Sequence, residues 1–478
     1  MYKGTYTDIT ATPQAHHARS LRCGITSVIA MIFMVLIACL ALGFYATMTT
    51  STKLSQNDQK GARALVAAES GIRYMRLQLA RIKLAPLTTS DQVPSALWTA
   101  LKANTDLVGN LGTNTVGFAN NTITIPAEAN QMIATDNSDQ SGFVVTISRI
   151  STTADGIVVK VTGYSGTGRV RRTKTVKLNF IRQEYPSTLF QNAVAAQGKI
   201  TIQKGLIGGS GVPDTIATMM TTRTTNPAFL MSGGTLGGDI GIVKAGTASV
   251  TAGSVHGTTN MTTIYNTYVK LVQAPEFPAF DTSVFAPYAT NTYVSGMTTL
   301  TNTRIPANTG TAASPLTFTG GATVQGILYI ESPNVVKFGG SANIAGMIVF
   351  ENKGTSADNS LTFTGNAQMN PLPAGAAFDP LRSITGISIL APTASVTTTG
   401  STDSYLKGNM IVGNFNELGS ATIKMESGSI IAMDTANAVT FNGKDTRFVS
   451  TGVLNPPSMG VKFSTKFVPK DGTYGEVH

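Results

Sequence analysis

Charge, cysteine and histidine are all scarce in this chain. Asp, Glu, Lys and Arg make up only 13% of its 478 residues, about half the usual share. Hydrophobic residues nevertheless reach 42%, enough apolar surface to fold, so the sequence is not a disordered tail. Its two cysteines, Cys23 and Cys39, both lie near the N-terminus, which excludes a disulfide framework from everything beyond them. A cysteine-rich metal site is excluded too, and His16, His17, His256 and His478 are too dispersed for ligand spacing. There is no Walker glycine-lysine loop, no HExxH helix and no GxSxG elbow. The net charge of +10 is scattered apart from Arg169, Arg171, Arg172, Lys174 and Lys177. These alternate with Val170, Val176 and Leu178, the pattern of a solvated strand face, and no nucleic-acid partner is expected. What remains, with 48 glycines, is a Gly-, Thr- and Ala-rich β protein held by packing and backbone hydrogen bonds. Its length predicts at least two folded units, since single cores stop growing at roughly 250 to 300 residues.

Residues 25–48 form an uncharged apolar run, longer than the ~20 residues a helix needs to cross a bilayer. A cleaved secretory signal has a core of only about 7 to 15 residues and a small-x-small exit, and this run has neither feature. Lys3, Arg19 and Arg22 precede it, which predicts a cytoplasmic N-terminus with the rest of the chain on the far side. Apolar residues continue at Leu65, Ala68, Ile72, Met75, Leu79 and Ile82, with Arg63, Arg73, Arg76 and Arg81 off the seam, an amphipathic helical stripe. No proline falls between Pro13 and Pro86, so one helix is expected over 25–84, roughly 90 Å long. Gly43 and Gly61 are its expected soft points.

Three elements carry a resemblance: the basic leader HHARSLRCG, the span that begins directly after it, and the segment ALVAAESGI, with AAESG at 67–71. Together they resemble the N-terminal region of PilX-like type IV pilus assembly proteins and related minor pilins and pseudopilins. The resemblance is close only over about the first 85 residues. It implies cleavage by a prepilin peptidase between Gly24 and Ile25, leaving Ile25 as the mature N-terminus. It also implies other pilin or pseudopilin subunits as partners of the helix. The alternative is an uncleaved signal anchor. Major pilins carry a glutamate at the fifth mature position, where this chain has Ile29, so by the resemblance it lacks one self-assembly contact.

From 85 to 185 a small domain is expected, opening with a helix near 96–102 that holds Trp98. Alternating strands follow at 122–125, 143–150, 157–164 and 170–181, with SGTG at 165–168 turning the last hairpin. A helix followed by an antiparallel sheet is compatible with a pilin-like α/β domain.

Beyond Phe190 the strands become short and Gly-punctuated, and a repeat appears. LTFTGGATVQGILYI at 316–330 is matched twenty residues later by VKFGGSANIAGMIVF at 336–350. The match aligns Phe318 with Phe338, Ala322 with Ala342, Val324 with Ile344, Gly326 with Gly346 and Ile330 with Phe350. A third copy starts at Leu361, and weaker echoes lie at 199–211, 239–257 and 421–443. That period predicts a parallel β-helix over 186–456, with an insertion near 261–310 around the proline-rich segment APEFPAFDTSVFAPYA. A tail follows at 457–478. The fold expected is therefore mainly β with a long N-terminal helix: leader 1–24, membrane and stalk helix 25–84, small domain, then solenoid.

Glu331 and Glu351 occupy equivalent repeat positions. Stacked on adjacent rungs they could bind calcium or share a proton. A catalytic set would need further partners, and only Lys337, Lys353 and Asp358 lie nearby, so exposed turn carboxylates are the simpler reading. No catalytic residue and no cofactor is expected. The sequence predicts a structural accessory subunit of a type IV pilus or type II secretion-like assembly, anchored in a bacterial inner membrane and displaying the solenoid outside it to a surface glycan or protein. The competing readings are a stand-alone anchored adhesin or envelope scaffold, and a β-helix carbohydrate-active enzyme.

Overall fold

A computed structural model describes residues 23–86, 88–128, 131–136, 140–151, 155–185, 188–208, 217–400, 403–449 and 457–477. Most of the expected leader, residues 1–22, therefore lies outside the described residues. The chain is mainly β behind one long helix, α1 (Cys23–Arg81). At 59 residues α1 is about 90 Å long. It runs unbroken through Gly43 and Gly61, neither of which has another atom within 4 Å of its Cβ position. Of the predicted stripe, Ala68, Ile72, Met75, Leu79 and Ile82 are buried, with Leu65 half-buried. The chain divides into two compact units. One holds α1 to Ala80, Leu97–Ile181 and the residues from Val468, and the other holds Arg81–Ala96 and Arg182–Phe467.

In the first unit an antiparallel sheet includes β1 (Gly117–Ala119), β2 (Thr122–Ile125), β3 (Ile133–Asp136), β4 (Ser141–Arg149), β5 (Gly156–Ser165) and β6 (Arg172–Glu184). Neighbours run β1-β2-β4-β5-β6, with β3 beside β4. Alternation in β5 buries Ile157, Val159 and Val161, as one covered face requires. Gly163 admits α1, because a Cβ there would lie 2.0 Å from the Ala64 carbonyl oxygen and 2.5 Å from the Ala68 nitrogen. Small residues on both sides bring helix backbone against strand backbone, which gives AAESG a packing role. The expected short helix runs Val93–Lys102, and its Trp98 Nε1 donates to the Val116 carbonyl at 2.9 Å. The C-terminal stretch read as a tail ends in a strand, Gly475–Val477, which pairs with β6. Residues 83–84, placed with the stalk by the helical pattern, bond within the second unit instead, where Leu84 exchanges both backbone hydrogen bonds with Thr465.

The second unit is a parallel β-helix whose strands stack in three rows. Inward residues of one row run Ile240, Met219, Val194, Ile430, Met410, Ile389, Ile348 and Leu328, all fully buried. The predicted repeat pairs in the predicted register: Phe318 beside Phe338, Ala322 beside Ala342, Gly326 beside Gly346 and Ile330 beside Phe350. Phe363 of the third copy continues the row, and the three rings stack at 5.1 and 5.4 Å. Corner asparagines replace backbone bonds where the coil turns. The buried Asn334 Oδ1 accepts from Gly310 N at 2.8 Å, and Asn359 Oδ1 accepts from Asn334 N at 3.2 Å.

The order of coils in space is not their order in sequence. The chain enters mid-stack at Val194–Ala196 and winds to one end at Val269–Leu271. It then re-enters at the opposite end at Asn291–Thr292 and winds back until Ile430–Ala432 pairs with Val194–Ala196. The first coil thus lies between the second and the last. Ten strand-to-strand steps along this row amount to about 48 Å, and residues 272–290 can span about 60 Å when extended. The proline-rich insertion is this crossing strap. Its Phe280 and Phe285 cover the outer face of the same row, where Tyr329, Val349, Leu390 and Ile411 point. Strands covered on both faces lose their alternation, which is why ILYI and MIVF read as continuous apolar runs.

Candidate functional site

Two features define what this chain can do: the surface of α1 and the polar groups of the β-helix. From Val28 to Met48 the apolar side chains of α1 are exposed all round, including Met31, Phe33, Leu36, Leu40 and Phe44. An all-round apolar helix belongs in lipid or against other helices. Its most apolar stretch has a mean hydropathy of 2.7 and no buried residues, long and apolar enough to cross a membrane. Polar residues at the end of the run are satisfied internally. The hydroxyls of Thr47, Thr49, Thr50 and Thr52 donate to the carbonyls of Gly43, Tyr45, Ala46 and Met48 at 2.7 to 2.9 Å. Backbone at Gly24 and Ile25 is helical, at the N-terminal end of α1. Ile29 is exposed on the same surface.

Glu331 and Glu351 follow paired strand ends on adjacent coils, and each carboxylate has its own partners. Glu331 lies 3.5 Å from the Arg304 guanidinium and accepts from Ala307 N at 3.2 Å. Glu351 meets Lys353 Nζ at 2.5 Å and accepts from Ser332 N at 3.2 Å. The bond to Glu351 raises the Lys353 pKa above its ordinary value. Burial first, and Glu351 second, push up the Tyr329 hydroxyl between them. Next to this cluster the strap is tied down: Asn352 donates its N–H to Thr282 Oγ1 at 2.7 Å and its Nδ2 to the Phe280 carbonyl at 2.8 Å. Glu331 and Glu351 therefore cap turns beside the strap. Among the described residues no three His, Cys, Asp or Glu side chains gather at one point.

One carboxylate escaped the sequence reading. Glu417 lies in the inward aromatic row, between Thr398 and Phe441, and is only 2% exposed. Its Oε2 accepts from Thr446 Oγ1 at 2.7 Å, while Oε1 has no hydrogen-bond partner. Burial pushes its pKa up to about 7, helped by the nearby Asp445. The signal was available, because Phe415 and Glu417 are two residues apart in NFNEL and share a strand face. On the outer surface, a cleft of about 280 Å³ is lined by Met347, Met369, Leu372, Ile384, Ile387 and Tyr405. The Tyr405 hydroxyl, bonded to Glu426, is pushed up to about 12, mainly by that bond.

No family model matches the sequence, and no curated protein matches it either. Among solved structures the chain is similar to the competence-associated pilin ComZ from Thermus thermophilus, at 14% sequence identity over 87% of this chain and 97% of that one. The TM-score is 0.22, too low for the likeness to bear on the fold.

Proposed function

We infer that the protein is a structural accessory subunit, minor pilin-like in its N-terminal part, of a type IV pilus or type II secretion-like assembly. The observation that carries this reading is α1 itself. One unbroken helix is apolar and exposed over its first half and packs its AAESG segment on an antiparallel sheet over its second. The first half provides a bilayer anchor and a surface for neighbouring helices of the same kind, and the β-helix is the part displayed outside an inner membrane to a glycan or protein. Its role is mechanical or adhesive, not catalytic, in keeping with glutamates that cap turns.

Processing tests the reading. A prepilin peptidase should cut between Gly24 and Ile25, and Gly24→Val should block the cut by placing a branched side chain at the scissile bond. N-terminal sequencing from cells with and without the peptidase is expected to give Ile25 only when the peptidase is present. A mature chain that keeps Met1, or starts after Met48, contradicts the pilin-like reading and favours an anchored scaffold.

A further inference from the structure

We propose that the outer face of one β-helix row binds an extended, uncharged polysaccharide bearing acetamido groups, a proposal that rests on the β-helix being the displayed part of the chain. The row with Leu300, Val324, Ile344 and Met369 buried inward turns the alternate residues outward. Their register sets Thr299, Thr323, Asn343, Gln368 and Tyr405 side by side on five successive coils. At about 4.8 Å per coil this ladder is about 19 Å long. Each of its side chains carries a hydroxyl or an amide, groups that donate and accept as sugar hydroxyls do.

A cleft opens at each end of the ladder. The first, of about 330 Å³, gathers Thr298, Thr299, Thr323, Ser341 and Asn343 around Gly320. Among the described residues these five side chains have no hydrogen-bond partner, so their hydroxyls and amide are open to a ligand. The second is the cleft of about 280 Å³ at Tyr405, where Met347, Met369, Leu372 and Ile384 make an apolar floor. Among the described residues only Lys407 brings a charge to either lining, and it pairs with Glu426 at 3.5 Å. A face without free charge suits a neutral polymer. The core of a protein interface is enriched in aromatic, Met and Arg side chains, whereas four of the five ladder residues are Thr, Asn or Gln. An extended β-1,4-linked pyranose chain advances by close to one coil step per sugar, so successive sugars meet successive coils. The polar cleft takes ring hydroxyls, and the apolar floor takes the methyl of an acetamido group.

The test is calorimetry on the full chain in nanodiscs, titrated with N-acetylglucosamine oligomers of two, four and six sugars and with cellotetraose, which has the same backbone without acetamido groups. Affinity is expected to rise about tenfold from dimer to tetramer, as one chain comes to reach both clefts, and to level off at the hexamer because the ladder is about four coil steps long. Cellotetraose should bind about fivefold more weakly than the tetramer, having no methyl for the apolar floor. Thr323→Ala with Asn343→Ala should weaken tetramer binding about tenfold. Gly320→Trp should do the same by filling the first cleft, since no atom lies within 4 Å of its Cβ position. Thr362→Ala, outward on a neighbouring row, should change nothing. Absence of tetramer binding overturns the proposal and leaves the face to a protein partner. Binding that ignores chain length or the ladder variants overturns the ladder as the site, and cellotetraose binding equal to that of the tetramer overturns the acetamido assignment. All of this is read on the purified chain, so it stands apart from processing at Gly24 and from copy number in a fibre, which test the accessory reading.

Discussion

Replacing Phe338 with Ala is expected to lower the stability of the β-helix by about 3 to 5 kcal/mol. The ring is fully buried and has an aromatic face on each side, Phe318 at 5.1 Å and Phe363 at 5.4 Å. Its removal opens a cavity that neither neighbour can fill without leaving its own coil, and coils of a solenoid draw their stability from such nearest-neighbour contacts. Phe318 is expected to matter less, because it is at one end of the stack and its other ring neighbour, Tyr293, is edge-on at 6.0 Å. Denaturant unfolding of the full chain in detergent should show a lower midpoint at unchanged slope. Lys337→Ala, on the same strand but facing outward, should stay within about 0.5 kcal/mol of the parent. Equal effects of the two substitutions would remove the inward register.

Glu417 should make the same domain less stable as pH rises from about 4.5 to 7. Its pKa is raised from 4.5 to about 7 in the folded chain, so the folded state holds a proton that the unfolded state has already released. The stabilising contribution is complete below about 4.5 and lost as pH climbs through about 7, amounting to roughly 3 kcal/mol for a shift of this size. Glu417→Gln keeps the acceptor for Thr446 and cannot ionise. At pH 8 the variant is expected to unfold at higher denaturant than the parent, and at pH 4 to be no more stable. A parent whose stability is flat between pH 4 and 8, or a glutamine variant that is weaker at pH 8, contradicts a buried, proton-holding Glu417.

Three periodicities explain how much could be read in advance. The stalk stripe at three- and four-residue spacing, the sheet strands and the twenty-residue repeat each declare themselves locally, and the rings of Phe318 and Phe338 fall where the repeat puts them. The order of coils was hidden. Val194–Ala196 and Ile430–Ala432 are neighbours in space but lie far apart in sequence, and their short apolar strands share no side-chain signature that would link them. The strap was recognised as a break in the repeat, yet its function as a lid over Tyr329, Val349 and Leu390 depends on that hidden order. Glu331 and Glu351 follow strand ends that pair on adjacent coils. What each binds depends on Arg304, Ala307, Lys353 and Ser332, and repeat spacing alone does not specify those partners. Glu417 was legible through its alternation with Phe415, a signal easily lost in a strand that also carries Asn414 and Asn416.

Copy number in an assembled fibre tests the central claim most directly. If the N-terminal resemblance to pilins holds, Ile29 takes the position where major pilins carry a glutamate, and a buried carboxylate in lipid needs a partner because its desolvation costs several kcal/mol. An apolar side chain there suits a subunit with no neighbour offering an amine, and a β-helix at every helical step would crowd a fibre surface. Quantitative mass spectrometry of purified fibres is expected to find this chain at a few copies per filament, as a tip, initiating or accessory component. Homogeneous filaments built of this chain alone would contradict the accessory role, and its complete absence from any fibre would contradict the pilin-like assembly and leave an anchored scaffold.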